Sequence, residues 1–575
     1  MPNPVSLNPQ LQMDTATEKG DQREGFGNNQ FKAFLSKIKP YGIFFLLLLI
    51  GIYRFSLTDR GALSNPDEVR YWDAADAWEK LVGERDLRGF FISFSSATHG
   101  RVEGTNKPGD TMLRLVPSLF QGILWKVTGG KHLRDPNSDM INTGIHFRNP
   151  ESLRIVTSFN VFVSLGLLWV FYAISLNLFK GYYGAAWIAT TVYGLLANSN
   201  IYIRHILPYD SALLVFLLAI YCILRKSKEA DSLLLKTCIV AGLLAGFGFT
   251  IYPGYYALVA VTAIMIWEGK EPFFSRSRIL RYLIFSTSFF GVLGFFEVLA
   301  RLGKTSYLFY LGHHAERIIQ GSFEEGFSFL PKYLLQVEKG IGGLLLGGSI
   351  LYLFKEFRGL LKKEITQDST VPYQPQLRIL FFTGAACFFF HATLSISEKM
   401  VFYGRLLHMY FPFLVWGTIA FVVDLRSKPL RRFLMYGIVP ILSFVSFFDF
   451  SKVYAQIAYP LDVLYQLGIN TEHLPSTNII SESKPYMHFL SPPPRNFKTG
   501  EPYSRNSSYL LINFFSFLPS EKDGYKLFLS PANARLIYQR PHFQNLPAYM
   551  FEAYSIQERK WIQERNYQVS VYELT

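Results

Sequence analysis

Long uncharged apolar runs, separated by short charged segments, fill most of the chain between residues 42 and 448. Residues 1–38 are different: polar, rich in Asn, Gln, Glu and Lys, and without periodicity, the pattern of a disordered cytoplasmic tail. The first run, Gly42–Tyr53, follows Lys32, Lys37 and Lys39. It lies too deep for an ordinary signal peptide and no A-x-A cleavage site follows, which predicts an uncleaved first span. Further runs cover Ile155–Phe179, Gly181–Ile203, Ser211–Leu224, Thr237–Trp267, Tyr282–Phe296, Gly340–Phe354, Ile379–Ser397, Leu406–Val423 and Phe433–Phe448. Several are shorter than the ~20 residues of a straight membrane helix. Lys and Arg at their ends can snorkel to supply the missing length.

The 31-residue run Thr237–Trp267 decides the parity, because Pro253-Gly254 interrupts it. Both flanks are basic, with Arg225, Lys226, Lys228 and Lys236 before it and Lys270, Arg276, Arg278 and Arg281 after it. Basic loops stay on the cytoplasmic side, so two short spans hinged at Tyr252-Pro253-Gly254 fit better than one. The predicted fold class is an all-α polytopic membrane protein of about eleven spans in the plasma (inner) membrane, N-terminus cytoplasmic and C-terminus outside. Residues 39–450 form the transmembrane domain. A large first extracytoplasmic loop, 58–153, carries helix-like segments near Pro66–Val82 and Asp110–Val127, the second with the spacing of an interfacial helix. A second outer loop covers 301–338. The tail, 451–575, has Pro-rich turns (SPPPRN) and strand-like runs (SYLLINFF, GYKLFLS), which predict a small extracytoplasmic α/β domain. There is no internal repeat.

Composition agrees. Of 575 residues, 50% are hydrophobic, 17% aromatic and only 17% charged, and the mean hydropathy is +0.17, values no water-exposed chain shows. The net charge of +14 would raise nucleic acid in a soluble protein; here it reads as basic cytoplasmic loops. Cys222, Cys238 and Cys387 lie in or beside apolar runs, with no CxxC or Cys/His cluster, so neither a disulfide framework nor a cysteine zinc site is indicated.

Candidate chemistry comes from ionisable residues at span ends, where the membrane makes them expensive. Asp67, Glu68, Lys107, Asp210, Tyr252, His313, His314, Tyr403 and Arg405 all fall on the predicted outer side, and an outward-facing polar cavity accounts for them together. In NPDEVRYWDAADAWEK, the Asp67-Glu68 pair opens an amphipathic helix and reads equally as a helix cap or as a general base or metal ligand. Lys107 of GTNKPGDTML can bind a phosphate or greet lipid headgroups. Asp210 of RHILPYDSALLVF reads as a functional carboxylate or a cap, and His205 as a hydrogen-bonded interface residue. Arg405, in EKMVFYGRLLHMYFPFLVW, suits bidentate phosphate binding or simple snorkelling. His313-His314 with Glu316 has the wrong spacing for a helical metal site. No P-loop, dinucleotide fingerprint or nucleophile elbow is present.

Taken together, these motifs resemble the GT-C superfamily of membrane glycosyltransferases, in the branch of the protein O-mannosyltransferases and the bacterial lipid A aminoarabinose transferase. DEVRYWDAA matches that branch's acidic pair in the first outer loop. NKPGDTML stands where it has a Lys/His-Pro-Pro segment, LPYDSALL matches a turn ending in Asp before the fourth span, and YGRLLHMYFPFL echoes a late Arg-Tyr motif. The match is best over 65–225 and weak from 280 onward. Two departures stand out: Gly109 replaces the second proline, and Tyr252-Pro253-Gly254 occupies a hinge where the family often has a basic residue. The resemblance implies inverting sugar transfer from a polyprenyl-phosphate donor to a lipid, glycan or protein acceptor on the outer face. It casts Asp67 as general base with Glu68 beside it. Lys107 and Arg405 would hold the donor phosphate. Asp210, Tyr252 and Tyr403 would orient acceptor, carrier or a divalent cation. A lipid-linked sugar flippase and an O-antigen ligase or polymerase are the alternatives, with a non-catalytic scaffold as a third. A flippase would place polar residues through the whole membrane depth.

Overall fold

The structure is a computed structural model that describes residues 42–58, 84–86, 116, 151–205, 207–226, 231–268, 272, 274–302, 306–320, 326–361, 373–397, 404–454, 467, 479–481, 509–513, 534–539 and 569–574. The chain divides into two units, Met1–Leu46 and Leu47–Thr575, and the packing described below lies within the second.

The described chain is mostly helical. Helix α1 spans Gly42–Ser56, α2 Glu151–Leu178 and α3 Tyr183–Leu195; the short α4, Asn198–Ile201, runs into a 3-10 turn, and α5 spans Tyr209–Lys226. Then come α6 (Asp231–Ile251), a 3-10 turn at Pro253–Tyr255, α7 (Tyr256–Trp267), α8 (Arg276–Leu302) and α9 (Tyr307–Gln320). A helical stretch from Gly326 contains α10 (Phe329–Tyr333), a π turn (Leu334–Glu338) and α11 (Lys339–Leu361). The last helices are α12 (Pro375–Ile396), α13 (Gly404–Leu407), α14 (Phe411–Val423), α15 (Lys428–Phe433), a second π turn at Leu434–Ile438, and α16 (Val439–Tyr454). Five stretches among the described residues are long and apolar enough to cross a membrane: 157–178, 276–302, 326–359, 375–396 and 428–454. Four shorter apolar helices, at 42–56, 235–251, 253–267 and 411–423, accompany them. Outward-facing Phe290, Phe295, Val298, Phe444 and Phe448 would be costly in water and suit lipid.

The run Thr237–Trp267 is broken at the Pro-Gly step, as its proline predicts. The two halves pack differently. Gly242 of α6 faces the Phe285 carbonyl and Ser288 of α8; one turn further, Gly246 faces Phe289 and Val292. Contact positions rise together along both helices, so α6 and α8 run parallel, close enough that only glycine fits. A chain that goes up in α6 and up again in α8 must come down between them, which is the course of α7. The helices α11 and α14 are parallel too: Ser349 meets Thr418, and further along Lys355 pairs with Asp424. By contrast α11 and α16 are antiparallel, with Lys339 on Asp449 at 2.9 Å and the Ile341 N–H on Ser446.

The segment 301–338, expected as a loop, is largely helical. Charged Lys332 and Glu338 end the uncharged run in the sequence, yet the helix continues through them because the Glu338 carboxylate is buried and fully engaged. The helices also extend past several expected boundaries, α8 beginning at Arg276 and α6 at Asp231, with charged residues at their N-terminal ends. In the C-terminal region, β1 (Ile479–Ser481), β2 (Tyr509–Asn513), β3 (Ala534–Gln539) and β4 (Val569–Leu574) form one sheet in the order β1-β2-β4-β3. β1 and β2 are parallel and the other pairs antiparallel. SYLLINFF contains β2; GYKLFLS, SPPPRN, the tail 1–38 and both helix-like segments of the first loop lie outside the described residues, apart from the isolated Val116.

Candidate functional site

Three of the residues singled out in the sequence come together at one end of the helices. Asp210 is the second residue of α5 and lies inside the helix rather than at its cap. Its neighbour Tyr209 accepts a hydrogen bond from Arg405 Nη1 at 2.8 Å, and the guanidinium stands 5.9 Å from the Tyr209 ring centre. The Tyr252 ring packs edge-on against Tyr209 (4.9 Å) and Tyr255 (5.0 Å). Gly254 permits this: a Cβ there would meet the Tyr252 ring at 2.6 Å. Asp67, Glu68, Lys107 and Tyr403 lie outside the described residues, as do the side chains of His313, His314 and Glu316.

Arg54 enters the same region from the last turn of α1, wholly buried. Its Nε donates to Asn200 Oδ1 (2.9 Å) and its Nη2 to the Ser199 carbonyl (3.2 Å). Its charge reaches Asp210, Tyr193 and His408. The turn that holds it, Leu196–Asn200, is itself pinned. Glu338, the last residue of the π turn, accepts the backbone N–H groups of Ala197 and Asn198, both at 2.8 Å. Asn198 Nδ2 donates to Tyr333 Oη (2.8 Å) and to the carbonyl of Gly404, next to Arg405 (3.3 Å). Lys339, just after Glu338, adopts φ 52°, a strained backbone for a side-chain-bearing residue. Two sequence-distant segments, the stretch from Tyr333 to Glu338 and Gly404, therefore fix one turn, and that turn fixes the arginine.

His408, buried between α13 and α14, links the remaining groups. Its Nε2 lies 3.3 Å from Asp210 Oδ1 and 3.3 Å from Tyr193 Oη; its Nδ1 lies 2.8 Å from Tyr255 Oη. The Tyr193 and Tyr255 hydroxyls thus bond the two ring nitrogens, Tyr255 Oη also donating to the Arg405 carbonyl at 3.3 Å, while Asp210 Oδ1 stands beside Nε2 without hydrogen-bond geometry. The ring therefore links Tyr193 to Tyr255 at the hinge between α6 and α7, with Asp210 beside it. Two hydroxyl bonds hold the imidazole in one orientation against the carboxylate. Among the described residues, no three His, Cys, Asp or Glu side chains gather to hold a metal ion.

Sequence reasoning did not single out Arg54, Tyr193, Asn200, Tyr255, Glu338 or His408. The available signal was an ionisable or amide side chain beside or within an apolar run. Beneath the cluster, Tyr193 stacks on Phe171 (4.7 Å) and Phe171 on Trp416 (4.9 Å), whose indole N–H donates to Ser175 at 2.8 Å. All three rings are buried, so the polar cluster rests on a close-packed aromatic layer. The backbone carbonyl of the buried His205 accepts from Asn160 Nδ2 at 2.6 Å.

No family model matches the chain, and no curated protein matches it either. Among solved structures it is similar to ArnT from Cupriavidus metallidurans bound to undecaprenyl phosphate, at 11% identity over 92% of this chain and 97% of that one, with a TM-score of 0.47. It is also similar to the Archaeoglobus fulgidus oligosaccharyltransferase in complex with zinc and sulfate, at 11% identity over 92% of this chain and 88% of that one, with a TM-score of 0.42.

Proposed function

We propose that this chain is a membrane glycosyltransferase of the GT-C kind, which moves a sugar from a polyprenyl-phosphate carrier to a lipid, glycan or protein acceptor on the extracytoplasmic face. The observation that carries this reading is the meeting of Asp210, Arg405 and Tyr252, each prominent in a sequence motif, around Tyr209 in one half-buried polar cluster. Asp67 is the proposed general base, taking the proton of an acceptor hydroxyl as it attacks the anomeric carbon and the carrier phosphate departs with inversion. Lys107 and Arg405 offset the charge that develops on that phosphate. Glu68, Asp210, Tyr252 and Tyr403 orient acceptor and carrier. The aromatic layer of Tyr193, Phe171 and Trp416 favours an enzyme over a flippase, because a transported sugar needs a polar path through the membrane.

The test compares surface glycolipids and glycoproteins by mass spectrometry in cells carrying wild type, Asp67→Asn, Asp210→Asn or a deletion, at matched membrane levels. Loss of one sugar increment in the deletion and in Asp67→Asn is the expected result, and the missing mass identifies the sugar and the acceptor. An increment lost in the deletion yet kept in Asp67→Asn removes Asp67 as the essential base. No difference between deletion and wild type removes the transferase reading.

A further inference from the structure

The corner between α8 and α9 carries a polar knot amid outward-facing apolar side chains. Glu297 accepts Arg301 Nε at 2.7 Å, the Ser306 hydroxyl at 3.0 Å and the Leu308 backbone N–H at 2.9 Å. Ser306 Oγ in turn accepts the Phe309 N–H at 3.1 Å. The knot ties the first turn of α9 to the last turns of α8. On one side of that first turn, Tyr307 and Tyr310 are buried, and Tyr307 packs 5.9 Å from Phe296. On the other side Leu308 and Phe309 stand exposed, Phe309 at 61%, and Phe295, Val298 and Leu302 near the end of α8 are exposed as well.

Two physical demands bear on this corner. A carboxylate and a guanidinium that is 70% exposed cannot sit cheaply in hydrocarbon. A row of large apolar side chains cannot sit cheaply in water. Both are met at one depth, the boundary between headgroups and acyl chains, where Arg reaches outward and aromatic or aliphatic groups reach inward. The first turn of α9 is held at the end of α8, a helix long enough to span, by the bond from the Leu308 N–H to Glu297. We infer that the α8–α9 corner is an interfacial anchor whose partner is the lipid bilayer: Leu308 and Phe309 enter the upper acyl region while Arg301 and Glu297 stay at the headgroups. The knot then sets the depth of α9.

The test places an environment-sensitive fluorescent amino acid at Phe309 by stop-codon suppression in the full chain, reconstituted in nanodiscs of phosphatidylcholine and phosphatidylglycerol. The same label at Phe290, in the middle of α8, reports hydrocarbon, and at Arg535, exposed on β3, reports water. Lipids brominated high on the acyl chain are expected to quench position 309 more than deeply brominated lipids, with iodide weak. At 290 the deep lipids dominate, and at 535 iodide alone quenches. A 309 label quenched like 535, or quenched from the deep position like 290, overturns the inference. A label at Leu308 gives the same readout should the bulkier group at 309 disturb folding.

Discussion

At the scale of single residues, His408 bears most of the argument, because its two ring nitrogens serve opposite partners. Removing the ring in His408→Ala takes a hydrogen-bond partner from the Tyr193 and Tyr255 hydroxyls, Tyr255 keeping the Arg405 carbonyl, and a buried polar group that loses its partner costs about 1–3 kcal/mol. Tyr255→Phe removes only a hydroxyl and its expected loss is smaller, about 1 kcal/mol. Thermal unfolding of the purified full chain ranks the two. If Asp210 orients a substrate, His408→Ala also lowers sugar transfer by on the order of 100-fold, the scale of a small misplacement; unchanged transfer in a folded His408→Ala chain removes the orienting role. Asp210, Arg405 and Tyr252 were legible in the sequence because each stands at the edge of an apolar run in a motif. Arg54 was not, since an arginine ending a span is indistinguishable from one snorkelling to the headgroups until its partners Asn200 and Ser199, far along the chain, are placed beside it.

At the scale of elements, the contact between α6 and α8 depends on two glycines a turn apart. A Cβ at Gly242 would meet the Phe285 carbonyl at 2.4 Å, and one at Gly246 would meet Val292 at 2.8 Å. Backbone cannot give way as a side-chain tip can, so Gly242→Leu is expected to separate the helices and cost at least the ~1–3 kcal/mol of overpacking. Gly291→Leu, on α8 with open space around its Cβ, is the control and should be tolerated. The yield of monodisperse protein and its unfolding temperature distinguish them; equal behaviour of the two variants would contradict the close packing. The hinge between α6 and α7 was legible because proline and glycine act on their own backbone, whatever packs around them. The π turn at Leu334–Glu338 was not. It depends on a buried carboxylate reaching the amides of Ala197 and Asn198, and in sequence that same Glu338 reads as the polar end of a loop.

At the scale of the whole molecule, helix directions test the path of the chain independently of its charges. Since α6 and α8 are parallel, the segment before α6 and the segment before α8 must lie at the same end. The basic flanks agree with this arrangement: Lys236 begins the apolar part of α6 and Arg276 begins α8, and in the orientation expected from the positive-inside rule both lie in the cytoplasm. Ser306, after α8, then lies outside with the polar cluster of Asp210 and His408. In intact cells a membrane-impermeant maleimide is accordingly expected to label Ser306→Cys and to miss Lys236→Cys and Arg276→Cys until the membrane is opened. Labelling of Lys236→Cys and Arg276→Cys on opposite sides would mean that the run 237–267 crosses once, contradicting both the helix directions and the charge pattern. Labelling of both from outside would keep the path and invert the molecule. The polar cluster would then face the cytoplasm, and a transferase drawing on an extracytoplasmic acceptor would be excluded by orientation alone.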